Sequence, residues 1–278
     1  MNLPFIKMEG LGNCYIFADA RNVKKNSLPR LAISLSNIAT GIGADGLIVL
    51  DTDREPFAMR IFNRDGSEAE LCGNGLRQAA LFLRQVKYGK RKTFVIMTAA
   101  GDYWTEIMSV KGNKAIVKAA LGSPDFKARS VGLKNNTEVA FNIRLLRAQK
   151  RLFTADCVRL GNPHAVIWVR DFDFDWRTIG QTVSRHSMFK GGINVHFCKV
   201  INSRRFQMKI YERGSGETRA CGSGAGACLA AGVMRNYLAK NAVAEMPGGR
   251  LGLNWDIDTN TIVQQGPVSV ICSGDYHI

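Results

Sequence analysis

Two stretches of the chain carry the same text at a distance. Met59-Arg60-Ile61-Phe62-Asn63-Arg64-Asp65-Gly66-Ser67-Glu68-Ala69-Glu70-Leu71-Cys72-Gly73-Asn74-Gly75 is echoed by Met208-Lys209-Ile210-Tyr211-Glu212-Arg213-Gly214-Ser215-Gly216-Glu217-Thr218-Arg219-Ala220-Cys221-Gly222-Ser223-Gly224. Cys72 and Cys221 stand 149 positions apart in a chain of 278 residues, about half its length. An internal period that long reads as duplication of one domain, with one thiol contributed by each copy.

Both copies share a grammar of strand, polar loop and helix. Phe206, Met208 and Ile210 alternate with Gln207, Lys209 and Tyr211, the period of a half-buried strand. After Cys72, Leu76, Ala79, Ala80 and Leu83 recur at helical spacing and predict one apolar stripe. After Cys221, residues 224–234 are small and apolar on every side, so a helix there must be buried all round. Further strand signals lie at 13–18, 47–50, 93–97, 165–169, 193–200, 242–246 and 268–271, and long helical patterns are few. The expected class is α+β with β predominating.

Composition narrows the function classes. Hydrophobic residues make up 46%, enough for a sizeable core, and no apolar run approaches the length of a membrane span. The start, Met1 to Lys7, lacks the features of a secretory signal, so a cytoplasmic location is expected. Seven cysteines with no Cys-x-x-Cys pair disfavour a disulfide scaffold or a structural zinc site. The net charge of +15 is scattered over short clusters, Lys24-Lys25, 86–92, 144–151 and Arg204-Arg205, without interleaved aromatics. That pattern reads as solvated surface rather than a nucleic-acid stripe.

Cys-Gly-Asn-Gly and Cys-Gly-Ser-Gly each place a thiol at the mouth of a helix. Peptide N–H groups there have no internal partner, which favours anions and is expected to lower the thiol pKa. Two thiols in mirrored settings suit inversion of a stereocentre, where one removes a proton and the other delivers one to the opposite face. A substrate carboxylate held by the helix N-termini would stabilise the carbanion.

The ordered set of motifs resembles the diaminopimelate epimerase family almost end to end. It comprises Lys7 to Asn13, Gly41 to Leu47, Phe62-Asn63, Cys72-Gly73-Asn74-Gly75, Gly161-Asn162-Pro163-His164, Ile193-Asn194-Val195, Glu212-Arg213-Gly214, Gly216-Glu217-Thr218, Ala220 to Gly224 and Pro247-Gly248-Gly249. The resemblance implies two pseudo-symmetric domains, each a closed sheet around a central helix, with the active site in the cleft between them. The N-terminal domain would span 1–120 plus 266–278 and the C-terminal domain 121–265. It further implies interconversion of LL- and meso-diaminopimelate, a step toward lysine and peptidoglycan precursors, with no pyridoxal phosphate, metal or nucleotide cofactor. A homodimer is the expected assembly, with no membrane or nucleic-acid partner.

Carried over by position, the resemblance makes Cys72 and Cys221 the acid/base pair. Gly73, Asn74, Gly222 and Ser223 would supply donors to the reacting carboxylate. Asn63, Asn162, Asn194, Glu212 and Arg213 would hold the far amino and carboxyl groups, with Asn13 also in the pocket and His164 beside the thiols. Glu68, Glu70 and Glu217 read as loop carboxylates, and Cys157, Cys198, Cys228 and Cys272 as buried filler. The chain departs from the family pattern at Glu9, Cys14, Thr40 and Gly46. Three alternatives stay open at this level: a proline, hydroxyproline or histidine racemase of the same fold, a basic nucleic-acid-binding protein, and a thiol oxidoreductase.

Overall fold

The computed structural model describes residues 2–24, 27–134 and 137–277. Lys25 of the first basic cluster and the ends of the expected N-terminal domain, Met1 and Ile278, lie outside the described residues. The chain divides into two compact units, residues 1–120 with 265–278, and residues 121–264.

The first unit contains β1 (Asn2–Gly10), β2 (Asn13–Asp19), α1 (Leu28–Ser36), β3 (Gly46–Leu50), β4 (Phe57–Asn63), β5 (Glu68–Ala69), α2 (Gly73–Leu83), β6 (Thr93–Thr98), β7 (Gly101–Lys111) and β8 (Lys114–Gly122). The second begins with β9 (Ile143–Ala148), β10 (Arg151–Leu160), β11 (Asn162–Trp168) and α3 (Trp176–Ser184). It continues through β12 (Asn194–Asn202), β13 (Arg205–Glu212), β14 (Gly216–Glu217), α4 (Gly222–Met234), β15 (Asn241–Met246) and β16 (Gly249–Asp256). The long final strand, β17 (Thr261–His277), returns to the first unit.

In the first unit the ladder runs β17, β1, β2, β3, β4, β6, β7, β8 and back to β17, so the sheet closes on itself. Closure leaves no open edge and gives the barrel an interior that side chains must fill. Helix α2 fills it, packing against β1, β2, β6 and β7. All eleven residues of α2 are buried, so the single apolar stripe expected from its sequence understates its burial. The polar positions between the stripe residues are buried too, and their side chains must find internal partners.

The second unit repeats the frame. Along β1 to β7 the neighbouring pairs run antiparallel, parallel, antiparallel, parallel, antiparallel. Pairs β10–β11, β11–β12, β12–β13, β13–β15 and β15–β16 follow the same alternation. Each parallel step β2–β3 and β11–β12 is bridged by a helix, α1 and α3 respectively. Helix α4 packs against β10, β11, β12 and β16 and is buried through Gly232, as its small and apolar sequence requires. Its glycines give the room. A Cβ at Gly226 would sit 2.6 Å from a Leu160 methyl, and one at Gly232 would sit 2.5 Å from Leu238. The α+β class read from the sequence is the class of the fold.

Registers turn the repeat into residue equivalences. Tyr15 pairs with Gly46 across β2–β3, and His164 with Asn194 across β11–β12. Asn13 therefore corresponds to Asn162, Tyr15 to His164 and Gly46 to Asn194. By the same spacing Asn63 corresponds to Glu212, Asn74 to Ser223 and Arg77 to Gly226.

Candidate active site

Each thiol is the residue on which a helix begins. Strand β4 turns back through β5, with Asn63 N donating to Ser67 O at 2.8 Å, and delivers the chain to Cys72. Cys72 is extended at φ −135° and is the N-cap of α2. Gly75 N donates to Cys72 Sγ at 3.3 Å. Strand β13 turns back through β14 in the same way and delivers the chain to Cys221, extended at φ −138° and the N-cap of α4. The first peptide N–H groups of both helices, at Gly73 and Asn74 and at Gly222 and Ser223, thus follow directly on a thiol. This is the local setting that favours an anion.

Around Cys72 lies a chain of amides. Asn13 Oδ1 accepts from the Cys72 thiol at 3.8 Å and from Asn74 Nδ2 at 3.3 Å. Asn74 Oδ1 accepts from Arg77 Nη2 at 2.7 Å. Asn13 is held from the other side, where its Nδ2 donates to Asp45 Oδ2 at 2.8 Å and Gln78 Nε2 donates to its backbone oxygen at 3.0 Å. Asn63, at the end of β4, donates through Nδ2 to Ser67 Oγ at 2.9 Å. Arg77 is fully buried, and burial brings its pKa down to about 10 against the opposing pull of Cys72 and Glu9. It stays a cation at neutral pH.

Around Cys221 the chemistry is acidic. The thiol donates to Glu212 Oε2 at 3.5 Å, and Glu212 Oε1 accepts from Thr218 Oγ1 at 2.6 Å. Ser223 Oγ lies 3.7 Å from the sulfur. Burial first, and the Glu212 charge second, push the Cys221 thiol well above its ordinary range. The lowered pKa expected of a helix-start cysteine is therefore corrected here: desolvation and a carboxylate outweigh the helix terminus. Glu212, grouped with the far-end set from the sequence, is thus seated against the Cys221 thiol. Asn194 Oδ1 accepts from Arg213 N at 2.8 Å, and Arg213 Nη1 donates to Gly191 O at 2.8 Å. Asn162 opens β11 opposite Leu160, directly after the tight turn at Gly161.

His164 lies on β11 with its Nδ1 2.9 Å from His196 Nε2, a partner on β12 that the sequence reading missed. The signal was available: His196 alternates with buried apolar residues in the strand Ile193 to Val200, where a charged imidazole would be costly. Burial lowers the His164 pKa to about 3 and takes His196 well below the ordinary imidazole range. Both rings are neutral, so His164 cannot act beside Cys221 as an imidazolium. The ligating atoms of His164, His196 and Cys221 lie within 4.8 Å of one another, a set that matches soft divalent ions in type. One nitrogen of each ring is already committed to the other ring.

Glu68 and Glu217 pair with Arg60 and Arg177, at 2.7 and 2.6 Å, on exposed surface. Cys157, Cys198 and Cys228 are buried, but Cys272 is exposed, so the filler reading is corrected for that residue. At the departures, Glu9 Oε2 accepts from Gly12 N at 3.1 Å and Cys14 N donates to Asp45 Oδ2 at 2.8 Å. Thr40 N donates to Asn37 Oδ1 at 3.1 Å. Gly46 has no alternative in this frame, since a Cβ would meet Phe62 O at 2.1 Å.

A family model described as diaminopimelate epimerase matches residues 5–127 and 157–271. A diaminopimelate epimerase from Bacillus cereus (strain ATCC 10987) is 37% identical over 281 residues, covering 98% of this chain and 96% of the relative. One from Methanococcus maripaludis (strain C5) is 34% identical over 278 residues, covering 99% and 100%. Among solved structures, a PhzF-family phenazine biosynthesis protein from Bacillus anthracis superposes with a TM-score of 0.70 at 17% identity, covering 100% of both chains. A hydroxyproline epimerase from Agrobacterium vitis gives 0.67 at 12% identity, covering 99% and 91%. At such identities the structural likeness speaks for the fold alone.

Proposed function

The chain belongs to the diaminopimelate epimerase family and epimerises diaminopimelate, a reaction of lysine biosynthesis, and from that premise we propose that it interconverts the LL and meso forms by a two-thiol transfer of the α-proton. One cysteine, as thiolate, takes the α-proton and becomes a thiol. The other gives its proton to the opposite face of the same carbon and becomes the thiolate. One C–H bond breaks and one forms, with no net redox change, and the reverse reaction exchanges the roles.

The observation that carries this reading is the recurrence of a cysteine as the N-cap residue of a buried helix at the same place in both repeats. An α-proton is far less acidic than a thiol, so the carbanion needs stabilisation as it forms. The peptide N–H groups that open α2 and α4 would supply it through the carboxylate. Glu212, against Cys221, would hold that thiol protonated until the carbanion needs its proton. Asn63, Asn162, Asn194 and Arg213 would read the far amino and carboxyl groups, and a substrate lacking them would forfeit those contacts. No step is routed through pyridoxal phosphate, a metal or a nucleotide.

The test is incubation with LL-diaminopimelate in deuterated water. Single α-deuteration of the meso product is expected from the native enzyme, and Cys72→Ala or Cys221→Ala should cut turnover by about 10³-fold or more with native circular dichroism. A folded single variant with near-native turnover would refute the two-thiol mechanism. The same reading carries a cytoplasmic location and a homodimer, checked by fractionation and sedimentation. No described helix is long and apolar enough to cross a membrane.

A further inference from the structure

The direction of a side-chain amide follows from what stands on either side of it. Asn13 stands between an acceptor and two donors. Its Nδ2 donates to Asp45 Oδ2 at 2.8 Å, and a carboxylate only accepts. Its Oδ1 takes Asn74 Nδ2 at 3.3 Å and the Cys72 thiol at 3.8 Å. Asn74 is fixed in turn, because its own Oδ1 accepts from Arg77 Nη2 at 2.7 Å and a guanidinium only donates. Asp45 is clamped to β2: its N donates to Cys14 O at 2.8 Å, and the same Oδ2 takes Cys14 N at 2.8 Å. It stands directly before Gly46, the residue that pairs with Tyr15. In the second unit the same place, before Asn194, is taken by Ile193, which is fully buried and offers no acceptor.

From this geometry we propose that Asp45 is a positioning residue that fixes the Asn13 amide with its oxygen, and not its NH2, toward the Cys72 sulfur. Reversing that amide would set its NH2 against the Asn74 NH2 and its oxygen against the Asp45 carboxylate. An acceptor facing a thiol favours the protonated form, so Cys72 holds a proton more firmly than it would beside a donor. The inference rests on the two-thiol reading and sharpens it: as a thiolate, Cys72 is made the stronger base toward the α-proton. Other charged or titratable groups around this corner are Lys7 and Glu9 on β1, Cys14 and Tyr15 on β2, Arg77 on α2 and Tyr103 on β7. All of them stay in place when Asp45 is changed, so a difference between Asp45 variants reports on Asp45.

The experiment measures alkylation by iodoacetamide against pH in the full-length protein, with each cysteine resolved by peptide mass spectrometry and exposed Cys272 as the internal standard. Asp45→Ala removes the anchor of the amide and lets its oxygen leave the sulfur. The Cys72 midpoint is then expected to fall by about one pH unit, which means about tenfold more thiolate at neutral pH. Asp45→Asn removes the charge but keeps an oxygen able to accept from both Asn13 and Cys14, so its midpoint should move by less than half as much. Equal shifts in the two variants would show the charge of Asp45 at work in place of the amide, and an unmoved midpoint in a folded Asp45→Ala would leave Asp45 a purely structural role. Either result overturns the proposal. Asn13→Ala removes the oxygen itself and should lower the midpoint at least as far, and its failure to do so overturns the proposal even if Asp45→Ala does not fold. Turnover should fall about tenfold in Asp45→Ala and stay within about twofold of native in Asp45→Asn. Alkylation needs no substrate, so failure of the deuterium experiment would count against the epimerase mechanism while the midpoints still judge Asp45.

Discussion

Helices α2 and α4 open from the same hairpin, on the same residue type, with nearly the same backbone angles, and then part company. Helix α2 carries Asn74, Arg77 and Gln78 inside a closed barrel, and each of these polar side chains has a hydrogen-bond partner in its own unit. Helix α4 carries only apolar residues beyond Ser223, and the charge near its thiol comes from a strand, through Glu212. Duplication kept the frame that presents a thiol to helix N–H groups. The electrostatics were then divided, with a cation behind one sulfur and a carboxylate before the other. The two-thiol transfer proposed above would act on thiols in unlike surroundings.

Short of removing a thiol, the largest effect should come from erasing the acidic half. Glu212→Gln keeps a side chain able to accept from Thr218 but removes the charge that helps raise the Cys221 thiol. Turnover is expected to fall by about 10²-fold, within the range for loss of acid/base assistance. The Cys221 alkylation midpoint should move down, since a neighbouring anion disfavours a thiolate. An unchanged midpoint in a folded Glu212→Gln variant would show that burial alone governs Cys221.

A second contrast concerns what each helix glycine touches. Gly75 and Gly224 are equivalent, and a Cβ at Gly75 would meet the Ile48 Cδ1 methyl at 2.8 Å. A Cβ at Gly224 would meet the His196 ring at 2.3 and 2.4 Å. An isoleucine methyl at the end of a flexible side chain can swing aside, and alanine then gains up to about 1 kcal/mol of helix propensity. An imidazole locked to His164 cannot move without breaking that pair, and overpacking of this kind costs about 1–3 kcal/mol. Thermal denaturation should find Gly224→Ala less stable than Gly75→Ala by at least about 1 kcal/mol. Equal midpoints would mean that the histidine pair is free to shift.

How much of this was legible beforehand follows from the length scale of each signal. The strand–loop–helix grammar around each cysteine is local, carried by alternation and small residues, and it was readable. So was the duplication, because its two copies keep order and spacing. The full burial of α2 was not, since barrel closure is a matter of pairing between β8 and β17, far apart in sequence. Helices α1 and α3 were missed because each is only nine residues long. The polar identity of the sites was half legible. Glu212 and Asn194 could be named by motif, but the seat of Glu212 against Cys221 depends on how β14 folds back. His196 and Arg77 sit in stretches that read as ordinary strand and helix, and only burial shows that one meets a second histidine and the other is a charge without solvent.

The smallest effect expected is a pH dependence confined to one repeat. His164, with a pKa of about 3, and His196 are neutral in the folded state, whereas in the unfolded chain each titrates near about 6.5. Between those values the unfolded chain binds more protons than the folded one, so stability is fully present above about pH 6.5 and is lost progressively as pH falls toward 3. Peptide-resolved hydrogen exchange, corrected for its intrinsic pH dependence, should therefore show β11, β12 and α4 losing protection between pH 6.5 and 5 before β2, β3 and α2 do. In the first repeat the equivalent positions are Tyr15 and Ile48, and neither takes up a proton in that window. Replacing both histidines with that tyrosine–isoleucine pair, His164→Tyr with His196→Ile, should flatten the acid dependence of the second unit if the variant packs as the first unit does. Equal loss of protection in both units in the native protein would place the acid-sensitive groups elsewhere, and the two halves would then differ in catalysis but not in stability.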